Sequence, residues 1–398
     1  MRAGRDGLIV NHSCRGAMTT IDTTENPDLT VTGDNKPNWN MPDNRRHGFH
    51  NLHRLTRYSL SLRAQRVMTL SRRIDLRIGD MESVRRFSQR TAFSALVVIR
   101  GQHVLHEAYA ADFGPDQPHS IQSMNKTVMN LVIGRLVEDG LIDLSGKVRD
   151  YLPEIGSGYA EATVQQVLDM NVINDFTEDF TDPTSTYWNY EPSMGWRLPQ
   201  GDGQEQTIKE FVTEVQSDDV TNTSGFIHYK DTNTDVLGWI AEVVSGRTMR
   251  EMLSEITDAA GLAGSFHTSC DREGFPVLSG GASLTARDMA RYGSLFVRRG
   301  MGVDGNQVGS AAFIEATPGR GVPQPPPRDH LRYSNQTNTN GRWIGHGGYG
   351  GQYMLCDPQS GVVGVAYSVI EDKDGYPRDY YPPVIAMLEE IALLAFDD

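Results

Sequence analysis

The 398-residue chain has only three cysteines, Cys14, Cys270 and Cys356. They are scattered and odd in number, so they build no disulfide framework and show no metal-ligand spacing. Long apolar runs are also missing. The longest candidate, residues 384–396, is interrupted by Glu389 and Glu390 and reads as an amphipathic C-terminal helix, so no membrane span is expected. Positive charge is in deficit. A formal net charge of -14 argues against nucleic acid and anionic membrane as partners. At the N-terminus Arg2, Arg5 and Asp6 precede only the short run Leu8-Ile9-Val10, too short for a secretory apolar core. A cytoplasmic location is the default expectation.

What is present fits a soluble globular protein, with 38% apolar and 22% charged residues. The length exceeds that at which one core usually stops growing, so two lobes are expected. Residues 1–75 begin polar, with Pro27, Pro37 and Pro42, and turn arginine-rich. They read as disordered or as an arm wrapped over the body. Within them, the histidines of Arg46 to Leu52 lack a carboxylate at metal spacing, and a surface arm is the expected reading. Asp80 to Arg90 reads as a helix capped by Asp80, with Met81, Val84 and Phe87 on one face. Phe93 to Ile99 and Val104 to Tyr109 read as a hairpin. A helix with Val128, Leu131, Val132 and Leu136 apolar follows, ended by Asp139-Gly140.

Residues 141–277 carry helical patterns and long loops, Ala286 to Arg298 is a further helix, and strands return at Gln352 to Cys356 and Val362 to Val369. Strands thus sit at both ends and helices in the middle. The expected architecture is an α/β domain of residues 76–140 and 278–398, with an inserted, mostly helical domain of residues 141–277.

Three elements carry chemistry. The first is Ser123-Met124-Asn125-Lys126. A spacing of three puts hydroxyl and ammonium on one face, and Ser123 is the only serine three residues before any of the six lysines. Serine is a weak nucleophile without a nearby base, and lysine can be that base. Alone, the pair reads equally well as a helix cap. The second is Tyr229-Lys230-Asp231 ahead of a helix with Val236, Leu237 and Ile240. A tyrosine beside a lysine can relay a proton. The third is Gly345-His346-Gly347-Gly348-Tyr349-Gly350. It matches a dinucleotide fingerprint formally, but a strand follows rather than a helix. Such glycines instead let a substrate approach a strand edge. No Gly-x-Ser-x-Gly elbow, His-Glu-x-x-His or Walker loop is present, which disfavours the α/β-hydrolase, zinc-peptidase and P-loop classes.

In this order the three elements resemble the serine β-lactamase and penicillin-binding family. Ser123-x-x-Lys126 matches the nucleophile motif, and Tyr229-x-Asp231 stands where the class C branch has Tyr-x-Asn. His346-Gly347-Gly348 stands where β-lactamases have Lys-Thr-Gly; this version is typical of the esterase and amidase relatives. Residues 168–183, Gly195-Trp196 and Thr234 to Leu237 look most like the 6-aminohexanoate-dimer (nylon-oligomer) hydrolase group. The resemblance covers roughly residues 80–398.

It implies an antiparallel sheet flanked by helices and an acyl-enzyme on Ser123. Lys126 and Tyr229 would move the proton, and the backbone N–H groups of Ser123 and Tyr349 would form the oxyanion hole. His346 would hydrogen-bond Tyr229 or Lys126. Phe180, Glu191, Trp196, Asp231 and His346 would face the substrate. Phe180 falls where the nylon-oligomer hydrolases bear a tyrosine that helps amide cleavage, and a phenylalanine cannot donate a hydrogen bond. Glu191 falls where an aspartate binds a free amino group. Asp231 replaces the usual Asn or Ser.

The expected function is therefore an esterase or amidase acting on small linear substrates, with no metal or organic cofactor, a small-molecule ester or amide as partner, and a homodimer as one open assembly. A β-lactamase or D-Ala-D-Ala carboxypeptidase, and a binding protein that kept the fold, stand as alternatives. Tyr187, Trp188 and Trp196 are open to two readings, cleft lining or packing, and Glu191 reads also as a solvated charge.

Overall fold

The computed structural model describes residues 39–396 except 181, 200–204, 374 and 378. The first 38 residues, half of the expected arm, lie outside the described residues.

The run Phe93–Arg100 is almost wholly buried, as expected of a strand covered on both faces. It pairs antiparallel with His103–Tyr109 through the turn at Gly101 and with Val362–Ser368 on its other side. Gln352–Asp357, Ile344–Gly348, Thr337–Thr339, Arg332–Ser334 and Val322–Pro323 continue the sheet outward. Ser71–Arg72 adds a parallel edge beside His103. Alternate side chains point to opposite faces. Val97, Ile99, Met354 and Val365 join one large core with the helices Val128–Glu138 and Ala286–Val297. Leu96, Val98, Leu355 and Ala366 join a second core with the C-terminal helix Tyr381–Ala392 and the helix Glu82–Ser88. This is an antiparallel sheet flanked by helices, as expected.

A second sheet runs Ser59–Arg63, Ser265–Ser269, Ala282–Leu284 and His119–Ser120. It revises two expectations. Ser265–Ser269 is a strand inside the range read as helical. Ser59–Arg63 belongs to the stretch read as an arm, yet it pairs with Ser265–Ser269 along its whole length. Ahead of it, the helix Pro42–Asn51 buries Phe49 and His50, and Leu52 follows it into the core. His50 packs its ring 4.5 Å from Phe113 and 5.1 Å from His119. The segment Arg46 to Leu52 is therefore part of the body rather than a surface arm. The physical reason is that Phe49, Leu52 and Leu62 together supply enough apolar surface to dock.

Two smaller corrections concern local boundaries. The helix expected over Asp80 to Arg90 is two helices, Leu76–Asp80 and Glu82–Ser88, divided by an extended Met81. Asp75, not Asp80, caps the first by accepting from the Arg77 N–H at 3.0 Å. The glycine run is itself the strand Ile344–Gly348, and the turn comes at Gly350 and Gly351, both at positive φ. Among the described residues no helix is long and apolar enough to cross a membrane.

Candidate active site

The strand His119–Ser120 delivers the chain into a tight turn, Gln122–Thr127, which runs straight into the helix Val128–Glu138. Gln122 sits at φ 48, a left-handed conformation costly for a side chain with a Cβ. Its amide donates to the Ser120 hydroxyl at 2.6 Å, which holds the turn. Strand Ile344–Gly348 passes directly beside it. A Cβ at Gly348 would stand 2.4 Å from the Ile121 carbonyl oxygen, so only glycine permits the approach.

Ser123 is half-buried at this turn, and Lys126 is wholly buried behind it. The Lys126 ammonium donates to Ser123 Oγ at 3.1 Å, to the Ser279 carbonyl at 2.6 Å and to Asp231 Oδ1 at 2.5 Å. It also lies 4.9 Å above the Tyr229 ring. Burial, then the negative charges of Asp231 and Glu178, hold the Tyr229 phenol well above its usual range. The structure thus brings Ser123, Lys126, Tyr229 and Asp231 together, although 106 positions separate the first and third in the chain's numbering.

His346 is placed differently from expectation. Its Nδ1 faces the Gly347 carbonyl at 2.6 Å and its Nε2 the Tyr333 hydroxyl at 3.1 Å. Burial, then the Lys126 charge, lowers the imidazole to about 3. A neutral ring that donates from Nδ1 to a carbonyl has Nε2 left as an acceptor, and Tyr333 fills it. Tyr333 packs edge-on to Tyr229 with centroids 5.8 Å apart. His346 therefore reaches Tyr229 through Tyr333 rather than by its own hydrogen bond.

Several residues that sequence reading passed over complete the surroundings. A Glu178 carboxyl oxygen accepts from the Asp231 backbone N–H, at the start of the helix Asp231–Ser245. Burial, then the Asp231 charge, raises Glu178 well above the carboxylate range. Lys230 is buried and donates to the carbonyls of Asn174 and Phe176, which ties the loop bearing Glu178 to the tyrosine segment. Burial lowers its amine to about 8. Below the lysine, Tyr190 meets Ser279 Oγ at 3.2 Å and donates to the buried Asp235. Glu178 and Tyr190 flank Phe180 and Tyr187 in the chain. Tyr333 had no signal, because it belongs to a three-residue strand.

The expected substrate-facing residues divide. Phe180 is 41% exposed and meets Tyr187 at 4.8 Å and Tyr349 at 5.5 Å. Glu191 is buried, not a solvated charge, and Arg197 lies 3.4 Å from it. Trp196 is buried too. Its indole N–H donates to Ser269 Oγ at 2.9 Å, and its ring meets Trp39 edge-on at 5.3 Å, a packing role. Among the described residues no cluster of His, Cys, Asp and Glu could hold a metal.

A hydroxyl, an amine and a phenol gather at a half-buried turn. The comparisons give the family. The family pattern described as Beta-lactamase matches residues 82–381. The 6-aminohexanoate-dimer hydrolase of Paenarthrobacter ureafaciens is 37% identical over 246 residues, a match spanning 61% of this chain and 62% of that protein. The fold of a Bacillus anthracis protein described as a candidate 6-aminohexanoate-dimer hydrolase superposes with a TM-score of 0.75 at 20% identity, covering 91% of this chain and 98% of that one. A penicillin binding protein from Bacillus halodurans gives 0.55 at 17% identity, covering 75% and 97%. The chain belongs to the Beta-lactamase family. It is a serine-hydrolase-family protein of the β-lactamase fold with a 6-aminohexanoate-dimer hydrolase as homologue.

Proposed function

We propose that this chain hydrolyses ester or amide bonds of small linear substrates through an acyl-enzyme on Ser123. The observation that carries the reading is the Lys126 ammonium 3.1 Å from Ser123 Oγ and 4.9 Å from the centroid of the Tyr229 ring. Ser123 attacks the carbonyl, and its proton travels by Lys126 and Tyr229 to the leaving group. The backbone N–H groups of Ser123 and Tyr349 hold the oxyanion, each worth on the order of 3 kcal/mol of barrier. Water then releases the acyl group by the reverse proton path.

Esters are the better substrates in this reading. The loop wall presents Phe180 beside Tyr349, which offers no hydrogen bond to a leaving amine, and the Arg197 guanidinium stands beside Glu191. The test is turnover of p-nitrophenyl esters of short acids and of the linear 6-aminohexanoate dimer, by wild type and Ser123→Ala in parallel. Ester turnover falling at least about a thousandfold in the variant, with slow or no dimer cleavage by wild type, is the expected result. Unchanged ester turnover in Ser123→Ala removes the reading.

A further inference from the structure

We propose that Asp231 is the proton acceptor when Ser123 attacks the carbonyl, with Lys126 as the relay between Ser123 and that carboxylate. The inference rests on the serine-hydrolase reading above and deepens it.

An ammonium carries three protons and no lone pair. Here it has three acceptors, Ser123 Oγ, the Ser279 carbonyl and Asp231 Oδ1. In this state Lys126 takes the serine proton only after giving one away. A backbone carbonyl does not hold a proton near neutral pH, and Ser123 is the group to be deprotonated. Asp231 remains, and its oxygen is also the shortest of the three contacts at 2.5 Å. An Asn or Ser at this position would have no comparable basicity.

The neighbours of Asp231 leave it this role. From the nucleophile turn, Lys126 forms the ion pair. From the loop before the short helix Tyr187–Tyr190, Glu178, its carboxyl raised by burial, accepts from the Asp231 N–H. From that short helix, the phenols of Tyr187 and Tyr190 feel its charge, and from the strand Arg332–Ser334 so does Tyr333. All three stay phenols, raised by burial. On its own segment stand Tyr229, a phenol, Lys230, turned to the Asn174 and Phe176 carbonyls, and Asp235, which burial keeps protonated well above the carboxylate range. His346 is occupied at both ring nitrogens.

The step balances. Lys126 Nζ–H breaks as Asp231 O–H forms, and the amine lone pair takes the proton of Ser123. The Oγ–carbonyl bond forms, and the carbonyl π pair moves onto oxygen. The charge of Asp231 has become the charge of the oxyanion, and Lys126 is an ammonium again. On collapse, Tyr229 gives its proton to the leaving group and is reprotonated by Lys126, which recovers a proton from Asp231.

The test is the pH profile of kcat/KM for p-nitrophenyl acetate with the full chain, comparing wild type with Asp231→Asn. The asparagine keeps the shape and removes the acceptor. In wild type the Asp231 carboxylate is the acceptor behind the rising limb of activity with pH. In Asp231→Asn that acceptor is gone, and the serine proton must stay on the Lys126 amine. The rising limb should move up by at least one pH unit, with at least a tenfold loss at pH 6 that shrinks as pH increases. The pH dependence of fluorophosphonate labelling of Ser123, which reads acylation alone, should shift in the same direction. Asp231→Glu keeps a carboxylate and should keep the acidic limb at a lower rate, which covers the case that the asparagine variant folds poorly. Limbs that coincide after scaling in Asp231→Asn overturn the proposal and leave Asp231 as a residue that only positions Lys126. Ser123→Ala separates the two failures: if it is inactive while the limbs coincide, the hydrolase reading stands and this one falls.

Discussion

Two walls face each other across Ser123, and they are built on opposite principles. In the hydrolase reading proposed above, the catalytic wall consists of the turn Gln122–Thr127, the Lys126 contacts and the strand Ile344–Gly348. It is mostly buried, Lys126 meets three acceptors, and a missing Cβ at Gly348 sets its spacing. The facing wall, residues 175–197, is an aromatic and acidic loop around the short helix Tyr187–Tyr190. Phe180 is half-exposed there, and the charged Glu191 and Arg197 lie side by side. Groups that move protons need fixed geometry within a few tenths of an ångström, whereas a wall that only chooses substrates tolerates substitution. The comparison predicts large effects on the first wall and small ones on the second.

The largest effect is expected at Lys126. Replacing it with Met leaves Asp231 and the Ser279 carbonyl without their cation in a buried site. Breaking such a pair costs about 3–5 kcal/mol, to be read as a lower denaturation midpoint together with loss of ester turnover. A midpoint unchanged by Lys126→Met would erase the contrast between the walls. Next comes Gly348→Ala. Its Cβ would press on the Ile121 carbonyl, so the turn or the strand must shift. About 1–3 kcal/mol of stability and roughly a hundredfold in kcat/KM are the expected losses, measured by thermal melting and ester assay. The smallest effect belongs to the loop wall. Phe180→Tyr adds a hydroxyl at a half-exposed ring and should alter stability by no more than about 0.5 kcal/mol. It should raise dimer cleavage relative to ester turnover by about tenfold, the worth of one hydrogen bond. No change in that ratio would mean that something other than the missing hydroxyl limits amide cleavage.

The legibility of the two walls differs for the same reason. Ser123 and Lys126 are three residues apart, so local geometry alone predicts that they share a face, and the structure puts them 3.1 Å apart. The run from Phe93 to Ile99, apolar except for Ser94, likewise marks a central strand, because a strand covered on both faces loses the polar alternation. His346 was visible as a site residue, but its partner was not. Tyr333 lies 13 positions away on a short strand, and no periodicity or spacing announces it. The helix Pro42–Asn51 was hidden by its polar composition, since Phe49 is the one apolar side chain in it that joins the core, with Leu52 just beyond its end.

The sequence by itself determined the chemistry available: a serine and a lysine at helical spacing, a tyrosine before a helix, glycines where strand and turn must touch, and no metal-binding pattern. Those are local facts, set by side-chain identity and by distances of a few residues. The tertiary structure alone decided who pairs with whom. It placed Asp231 rather than Glu178 against Lys126, gave His346 to Tyr333, and set Arg197 beside Glu191. Burial and the neighbouring charge then fixed which carboxyl holds a proton, because the cost of a charge depends on the surrounding dielectric and partners, and those exist only once distant segments have packed together.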